Sequence, residues 1–157
     1  MDQKLEQTWE TPTHEEIRQL SKTHVKAMET LDLDEVWIQA GMQHVLLRTT
    51  GRRTGTEHKV ALPVWFDPSG HRIVVASFAG AKTDPAWFLN LLDREANAEV
   101  SCKSQQGEFI SAPEILDGDD YATTWALLNE DRAWYNDYQA ITDRRIPLVR
   151  LPETCIP

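Results

Sequence analysis

Cysteine is scarce in this sequence: only Cys102 and Cys155 occur, far apart. No CxxC pair and no Cys/His cluster with zinc-like spacing is present, so the expectation is a reduced, intracellular chain. No apolar run approaches the roughly 18 residues of a membrane-spanning helix. The N-terminus is polar and acidic, unlike a signal peptide. Basic residues are in deficit, with 16 Lys and Arg against 25 Asp and Glu and a formal net charge of -9. That balance argues against nucleic acid as a partner, because phosphate neutralisation needs a basic face. The GxSxG elbow, HExxH, the P-loop and GxGxxG are all absent. The five histidines (His14, His24, His44, His58, His71) have no ligand-like spacing, and no metal is expected. No isolated carboxylate pair suggests glycosidase chemistry.

What is present is a basic loop on an acidic chain. Thr50-Gly51-Arg52-Arg53-Thr54-Gly55 joins two strand-like runs, Val45 to Thr50 and His58 to Phe66. Its glycines permit tight dihedrals and close approach of a ligand to the main chain. Adjacent guanidiniums offer forked donors that suit phosphate or carboxylate. Arg48, Arg52, Arg53 and Lys59 face only Glu57 between positions 48 and 59, a local charge of +3. Such a spot reads as an anion site, against the alternative of a hairpin tip with solvated charges.

The 157 residues suit one domain with its own core. Residues 1 to 12 lack periodicity and read as a mobile lead-in. Thr13-x-x-Glu16 fits a capping box, and Ile17, Leu20, His24, Met28 and Leu31 follow at helical spacing. Asp34 is placed to cap a second short helix ending near Gly41. Residues 1–43 thus form a helical arm, which packs on the body or acts as a lid or membrane contact. Strands are expected at His44–Thr50, Glu57–Phe66, Arg72–Phe78, Glu99–Lys103 and Glu108–Leu116. Successive hairpins imply an antiparallel sheet closed as a barrel. Asp84-Pro85 predicts a helix with an aspartate cap and proline at its first position. Helices follow over 117 to 129 and 131 to 141, with a last strand over 147 to 151.

Two further groups could carry chemistry. Ala76-Ser77-Phe78-Ala79-Gly80 ends a strand just before Asp84-Pro85-Ala86-Trp87, a common setting for a ligand. An ordinary strand-to-helix connection would look the same. Trp134, Tyr135 and Tyr138 lie within one helical turn. They could wall a flat ring, or be core residues with polar tips at the surface.

Taken in order, these segments resemble the deazaflavin-dependent nitroreductase and quinone reductase family, whose members use coenzyme F420. The resemblance rests on Leu47-Arg48-Thr49-Thr50-Gly51-Arg52-Arg53-Thr54-Gly55, Leu62-Pro63-Val64 and Ile73-Val74-Val75-Ala76-Ser77. It continues through Asp84-Pro85-Ala86-Trp87-Phe88-Leu89-Asn90-Leu91, Tyr135-Asn136-Asp137-Tyr138-Gln139 and Asp143-Arg144-Arg145-Ile146-Pro147. It spans about Val45 to Leu151.

The resemblance implies an α+β fold, a mostly antiparallel split β-barrel over 44–151 with packed helices and the N-terminal helical arm. It implies that Arg52, Arg53, Thr54, His58 and Lys59 hold the phosphate and oligoglutamate tail of F420. Val75, Ala76, Ser77, Pro85, Ala86, Trp87 and Leu89 would hold the deazaflavin ring and its linker. Tyr135 and Tyr138 would border the substrate pocket. This chain departs from the family pattern at Arg132, where relatives tend to carry an aromatic, and at Phe78, where a polar residue is common. Arg132 would then favour acceptors that carry or develop negative charge. The implied reaction is hydride transfer from reduced F420 to an electron-poor quinone, enone or nitroaromatic, with Ser77 or Tyr135 donating a hydrogen bond or proton. The alternatives are an FMN-binding oxidase on the same barrel, or a cofactor- or lipid-binding protein without turnover. A cytoplasmic location is expected, with peripheral contact at the inner membrane face and the oligomeric state left open.

Overall fold

A computed structural model describes residues 3–154. Cys155 lies outside them. The chain begins as an extended lead-in and enters helix α1, His14–Thr30. The capping box forms: Glu16 N–H donates to the Thr13 hydroxyl, and Thr13 N–H donates to the Glu16 carboxylate. The buried stripe of α1 differs from the expected one. Val25 and Met28 are buried, whereas Leu20 is 61% and Leu31 48% exposed. α1 packs on the strand Glu57–Pro63 through the side carrying Ser21, Val25 and Met28, which turns Leu20 outward. Asp34–Trp37 forms one 3-10 turn, with Asp34 inside it and Leu33 at the cap position. Its Val36 and Trp37 join Val25, Met28 and Leu46 in a small cluster under the arm.

Two antiparallel sheets follow. The first is built from β1 (Ile38–Gln39), β2 (Met42–Thr50), β3 (Glu57–Pro63), β6 (Val100–Ser104) and β7 (Gly107–Ser111). β2 is central, paired with β1, β3 and β6, and β6 pairs with β7. The second runs in the order β4 (Trp65–Phe66), β5 (Arg72–Val75), β9 (Leu148–Leu151) and β8 (Glu114–Ile115). The strands therefore form two sheets rather than one closed barrel. The run expected as a single strand over Glu57–Phe66 breaks after Pro63, whose nitrogen has no proton for a ladder. Val64 N–H still donates to Gln43 of the first sheet, and Trp65 already pairs with Ile73 of the second. Similarly, Glu108–Leu116 divides into β7 and β8.

Alternating residues fill the space between the sheets. Val45 and Leu47 of β2 meet Val74, Cys102, Phe109, Val149 and Leu151 there. Burial pushes the Cys102 thiol up to about 12, so it behaves as an inert apolar filler. Helix α2, Ala86–Leu91, lays Trp87, Phe88 and Leu91 on this core. Helices α3 (Gly118–Asp131) and α4 (Trp134–Ala140) cover the second sheet, with Tyr121, Leu128, Trp134 and Tyr135 packed on Trp65, Ile73 and Leu148.

The lead-in expected to be mobile is tied down. Gln3 exchanges two side-chain hydrogen bonds with the backbone of Phe66, at 2.8 and 3.0 Å. Leu5 N–H donates to the Asp131 carbonyl. Trp9 then sets its ring edge-on to Trp134, with centroids 5.2 Å apart.

Candidate functional site

A cleft of about 820 Å³ opens along the outer edge of β3. Six successive residues, His58 to Pro63, line it. Neighbours along a strand point to opposite faces, so a cleft that touches all six runs along the strand edge. No strand pairs with that edge among the described residues. Ala61 N–H instead donates to the Ser21 hydroxyl of α1 at 3.1 Å. The edge is thus bounded by α1 on one side and by the segment from Val75 to Leu89 on the other. From His58 to Pro63 the strand extends roughly 17 Å.

The two ends differ chemically. At the His58 end stands the basic loop. It is fixed from beneath by Asn90 and Asn97, both buried. Asn90 Oδ1 accepts from Arg52 N–H at 3.3 Å and from Arg52 Nη1 at 2.9 Å. Asn97 receives Thr50 N–H at 2.7 Å and donates to the carbonyls of Thr50 and Asn90. Gly51 is needed for close approach, since a Cβ there would lie 2.7 Å from His58 Nε2 and 2.9 Å from the Thr54 hydroxyl. Arg53 is exposed and makes no hydrogen bond or ion pair among the described residues. Lys59 is less free, held by Glu29 at 2.7 Å with Glu57 at 3.8 Å. Arg48 is held by Glu108 at 2.8 Å and by the Ser101 hydroxyl at 3.0 Å, so it takes no part in the loop.

At the Pro63 end the walls are aromatic. Trp9, Trp134, Tyr135 and Tyr138 line the cleft together with Met42 and His44. Tyr135 and Tyr138 meet edge to face, 6.1 Å between centroids. Burial raises the Tyr135 phenol pKa above its ordinary value, so it stays protonated at neutral pH. Burial also pushes the His44 imidazole down to about 4. His44 Nδ1 lies 3.0 Å from the Met42 carbonyl, which can only accept. Nδ1 therefore carries the proton and Nε2 keeps its lone pair.

The middle of the cleft is formed by Val75, Ser77, Phe78, Ala79, Pro85, Ala86, Trp87 and Leu89. The strand expected to reach Phe78 stops at Val75. Phe78 and Ala79 then take left-handed backbone angles, φ 43° and 52°. Each such non-glycine residue costs about 1–2 kcal/mol. Arg144 supports the turn. Its guanidinium donates to the carbonyls of Ala76, Ser77 and Ala81 at 2.7–3.0 Å and pairs with Asp84 at 2.8 Å. Asp84 is therefore engaged with Arg144 and does not cap α2. Pro85 occupies the cap position, and its carbonyl accepts from Phe88 and Leu89. The Ser77 hydroxyl makes no hydrogen bond among the described residues and is free to meet a ligand.

Most of the residues singled out from sequence converge on this cleft. His58, Lys59, Val75, Ser77, Pro85, Ala86, Trp87, Leu89, Tyr135 and Tyr138 all line it. Ala76 is buried just beneath the wall. Arg52, Arg53 and Thr54 sit in the loop at its mouth. Arg132 is placed elsewhere: it is 3% exposed, behind the aromatic wall, with Nη1 on the Val64 carbonyl at 2.9 Å. Asn90, Asn97, Arg144 and Trp9 escaped the sequence reading as site residues. Asn90 and Arg144 lie inside segments that the resemblance covers, which was a usable signal.

A family model for F420H2-dependent quinone reductases matches residues 20–153. The chain belongs to that family. It is an F420-dependent reductase, with coenzyme F420 as its cofactor. A solved structure of an F420-H2-dependent reductase, FDR-A, is 30% identical to it, with 69% of this chain and 93% of the other covered at a TM-score of 0.57. A second solved structure, a domain-swapped dimer, is 27% identical, with 88% and 98% covered at a TM-score of 0.61. The donor set of this reductase fits an elongated cofactor with an anionic tail. Arg53, unpaired among the described residues, stands at the mouth, and an apolar stretch of the cleft lies behind it. No helix among the described residues is long and apolar enough to cross a membrane, and no cluster of three or more metal-ligating side chains occurs among them.

Proposed function

We propose that this reductase reduces a flat, electron-poor acceptor, a quinone first and an enone or nitroaromatic second, within one split-barrel unit. The observation that carries the reading is the polarity of the cleft: basic loop at one end, aromatic walls at the other, a largely apolar stretch between. Arg52, Arg53, Thr54, His58 and Lys59 bind the tail, with Arg53 as the free cation and Arg52 as the anchor. Val75, Ala76, Ser77, Pro85, Ala86, Trp87 and Leu89 bind the ring and its linker. Bound reduced F420 supplies the hydride.

The protein then orients the partners and supplies a proton. Tyr135 and Tyr138 hold the acceptor against that stretch, and Trp9 and Trp134 exclude water behind it. Closely positioned reactants gain several kcal/mol over free encounter. As hydride adds to a quinone, one oxygen gains negative charge and takes a proton. The protonated phenol of Tyr135 is the donor best placed at the aromatic end, and the Ser77 hydroxyl stabilises charge from the middle of the cleft.

A panel of quinone, cyclic enone and nitroaromatic acceptors with reduced F420 tests this reading. Turnover should be fastest with the quinone, and Tyr135→Phe should lower it about tenfold to a thousandfold with F420 affinity unchanged. A protein that purifies with tightly held yellow flavin and ignores reduced F420 would overturn it in favour of an FMN enzyme.

A further inference from the structure

We infer that Arg18 and Lys22, on the wall that α1 gives to the cleft, form a carboxylate-binding site, and that the acceptor of this reductase carries an acidic side chain. The inference rests on the reading of the enzyme as a reductase of a flat acceptor, and adds a charge to that acceptor. It begins from a stripe of like charge. Arg18, Lys22 and Lys26 follow one another at intervals of four on α1, and no Asp or Glu occurs from Ile17 to Met28. Residues four apart share a helix face, and like charges there repel. On a chain of net charge -9 this is a second basic stretch, besides the loop. The flanking acids do not neutralise it. Glu29 is held by Lys59 at 2.7 Å. Glu15 pairs with Arg18 at 3.4 Å, but both side chains are more than half exposed, and Gln19 shares the carboxylate at 2.9 Å. An exposed pair of this kind contributes little. Lys22 makes no hydrogen bond or ion pair among the described residues and meets Glu15 only through its field.

The fold turns two members of the stripe onto the cleft. Arg18 and Lys22 line it, whereas Lys26 does not. Arg18 is set in place by an aromatic ring: its Cζ lies 5.2 Å from the centroid of Phe78, and His14 packs on the same ring with centroids 4.7 Å apart. A guanidinium laid over a ring keeps the N–H groups at its edge for a ligand. The register of α1 along β3 separates the pair from the tail site. Glu29 meets Lys59 at the basic end, Ser21 meets Ala61, and Arg18 meets Phe78 in the middle of the cleft. Along the helix axis Lys22 and Arg18 stand roughly 10 and 16 Å from Glu29. Beyond Phe78 the turn abuts α4, where a Cβ on Gly80 would lie 2.7 Å from the Tyr138 carbonyl. The pair therefore belongs to the aromatic half of the cleft, where the acceptor lies. Asp84 is the one carboxylate among the residues that line the cleft, and Arg144 neutralises it at 2.8 Å. Nothing in the wall then repels an anion. A planar fork beside an ammonium suits the two oxygens of a carboxylate.

Two naphthoquinones with the same ring, one ending in a propanoate and the other in its methyl ester, test the site. Titration calorimetry into protein saturated with oxidised F420 reads their binding without turnover. The acid should bind about tenfold more tightly than the ester, and the advantage should shrink at high salt. In the double variant Arg18→Gln, Lys22→Gln the two should bind alike, at the wild-type affinity for the ester. Both side chains are exposed, so the variant should fold as wild type does. Lys26→Gln, off the cleft, should keep the full preference. With reduced F420 the same pattern should appear in the acceptor KM. Equal affinity of the wild type for acid and ester, or binding of neither, overturns the inference, as does a preference that survives the double substitution. A double variant that binds F420 about tenfold more weakly with the acid-to-ester ratio unchanged would give the site to a carboxylate of the cofactor tail, and overturns the assignment to the acceptor. Wild-type binding to phosphatidylglycerol vesicles that the double variant lacks, with no preference for the acid, would give the stripe to a membrane and overturns it too. Tighter binding of the acid without reduction of either quinone would leave the site standing and remove the quinone reading instead.

Discussion

Arg144 Nη2 donates to the carbonyl of Ser77 at 2.7 Å, from 67 residues further along the chain. The same guanidinium holds Ala76, Ala81 and Asp84, so one side chain fixes both ends of the left-handed turn that floors the cleft. Gly80 closes that turn at φ 75°, and a Cβ there would lie 2.5 Å from Ile141 Cγ1 and 2.7 Å from the Tyr138 carbonyl. The ring-binding turn and the aromatic helix α4 are therefore tightly fitted to each other.

Arg144→Ala should destabilise the protein by roughly 2 to 4 kcal/mol, because it leaves several carbonyls and Asp84 without their donor. F420 should also bind more weakly. Arg144→Lys should recover only part of each loss, since an ammonium cannot reproduce a planar fork. Urea unfolding and fluorescence titration with F420 give both numbers. Wild-type affinity in a destabilised Arg144→Ala would mean that the turn does not hold the cofactor.

The two arginines of the basic loop should separate cleanly. Arg53 is exposed and unpaired among the described residues, so Arg53→Ala should weaken F420 binding by about 1.5 to 3 kcal/mol with stability unchanged. The loss should shrink at high salt. Arg52 is bonded to Asn90, so Arg52→Ala should lower stability as well. Equal affinity for wild type and Arg53→Ala at low salt would sink the tail-binding role of the loop.

Stability should fall on acidification through His44. Its folded pKa is about 4 against an ordinary 6.5, so between these values the unfolded chain binds a proton that the folded chain does not. Stability is thus full above about 6.5 and declines as pH drops toward 4. At pH 5 the loss from this one group is about 2 kcal/mol. Urea unfolding at pH 7 and pH 5 should show a smaller difference in His44→Gln than in wild type. Identical differences would place His44 in contact with water.

Local patterns carried most of the fold into the sequence. The Thr13 capping box, the strands flanking Thr50–Gly55 and the turn at Asp67 to Gly70 follow from short-range chemistry, and each formed. The split of Glu57–Phe66 was also written there, in Pro63. What could not be read were events decided by distant partners. Asp84 fits a helix cap until Arg144 arrives from another segment. Leu20 fits a buried stripe until β3 selects a different face of α1. Arg132 reads as a cation in the pocket wall until the structure buries it behind that wall on the Val64 carbonyl. The site was legible where the ligand meets contiguous residues, and illegible where Asn97, Arg144 and Trp9 support it from far along the chain.

Trp9 gives the sharpest test of the N-terminal segment. The lead-in is anchored at Gln3 and Leu5, then crosses the aromatic end of the cleft with Trp9 on Trp134 and Thr11 3.4 Å from the Tyr138 hydroxyl. These contacts lie far from the basic loop. Removing the indole should therefore spare the tail and disturb the acceptor. Trp9→Ala should raise the acceptor KM about tenfold, a loss of roughly 1.4 kcal/mol, while the F420 dissociation constant stays the same. Trp9→Phe should retain most of the wild-type value, because the edge-to-face contact survives in a smaller ring. Stability should fall only modestly, since the ring is partly exposed and packs at the margin of the second core. Steady-state kinetics with a quinone series of increasing ring size would read the effect, with the largest change for the bulkiest acceptor. An unchanged acceptor KM across that series would show that the segment is a structural strap, and that the acceptor is held by α4 alone.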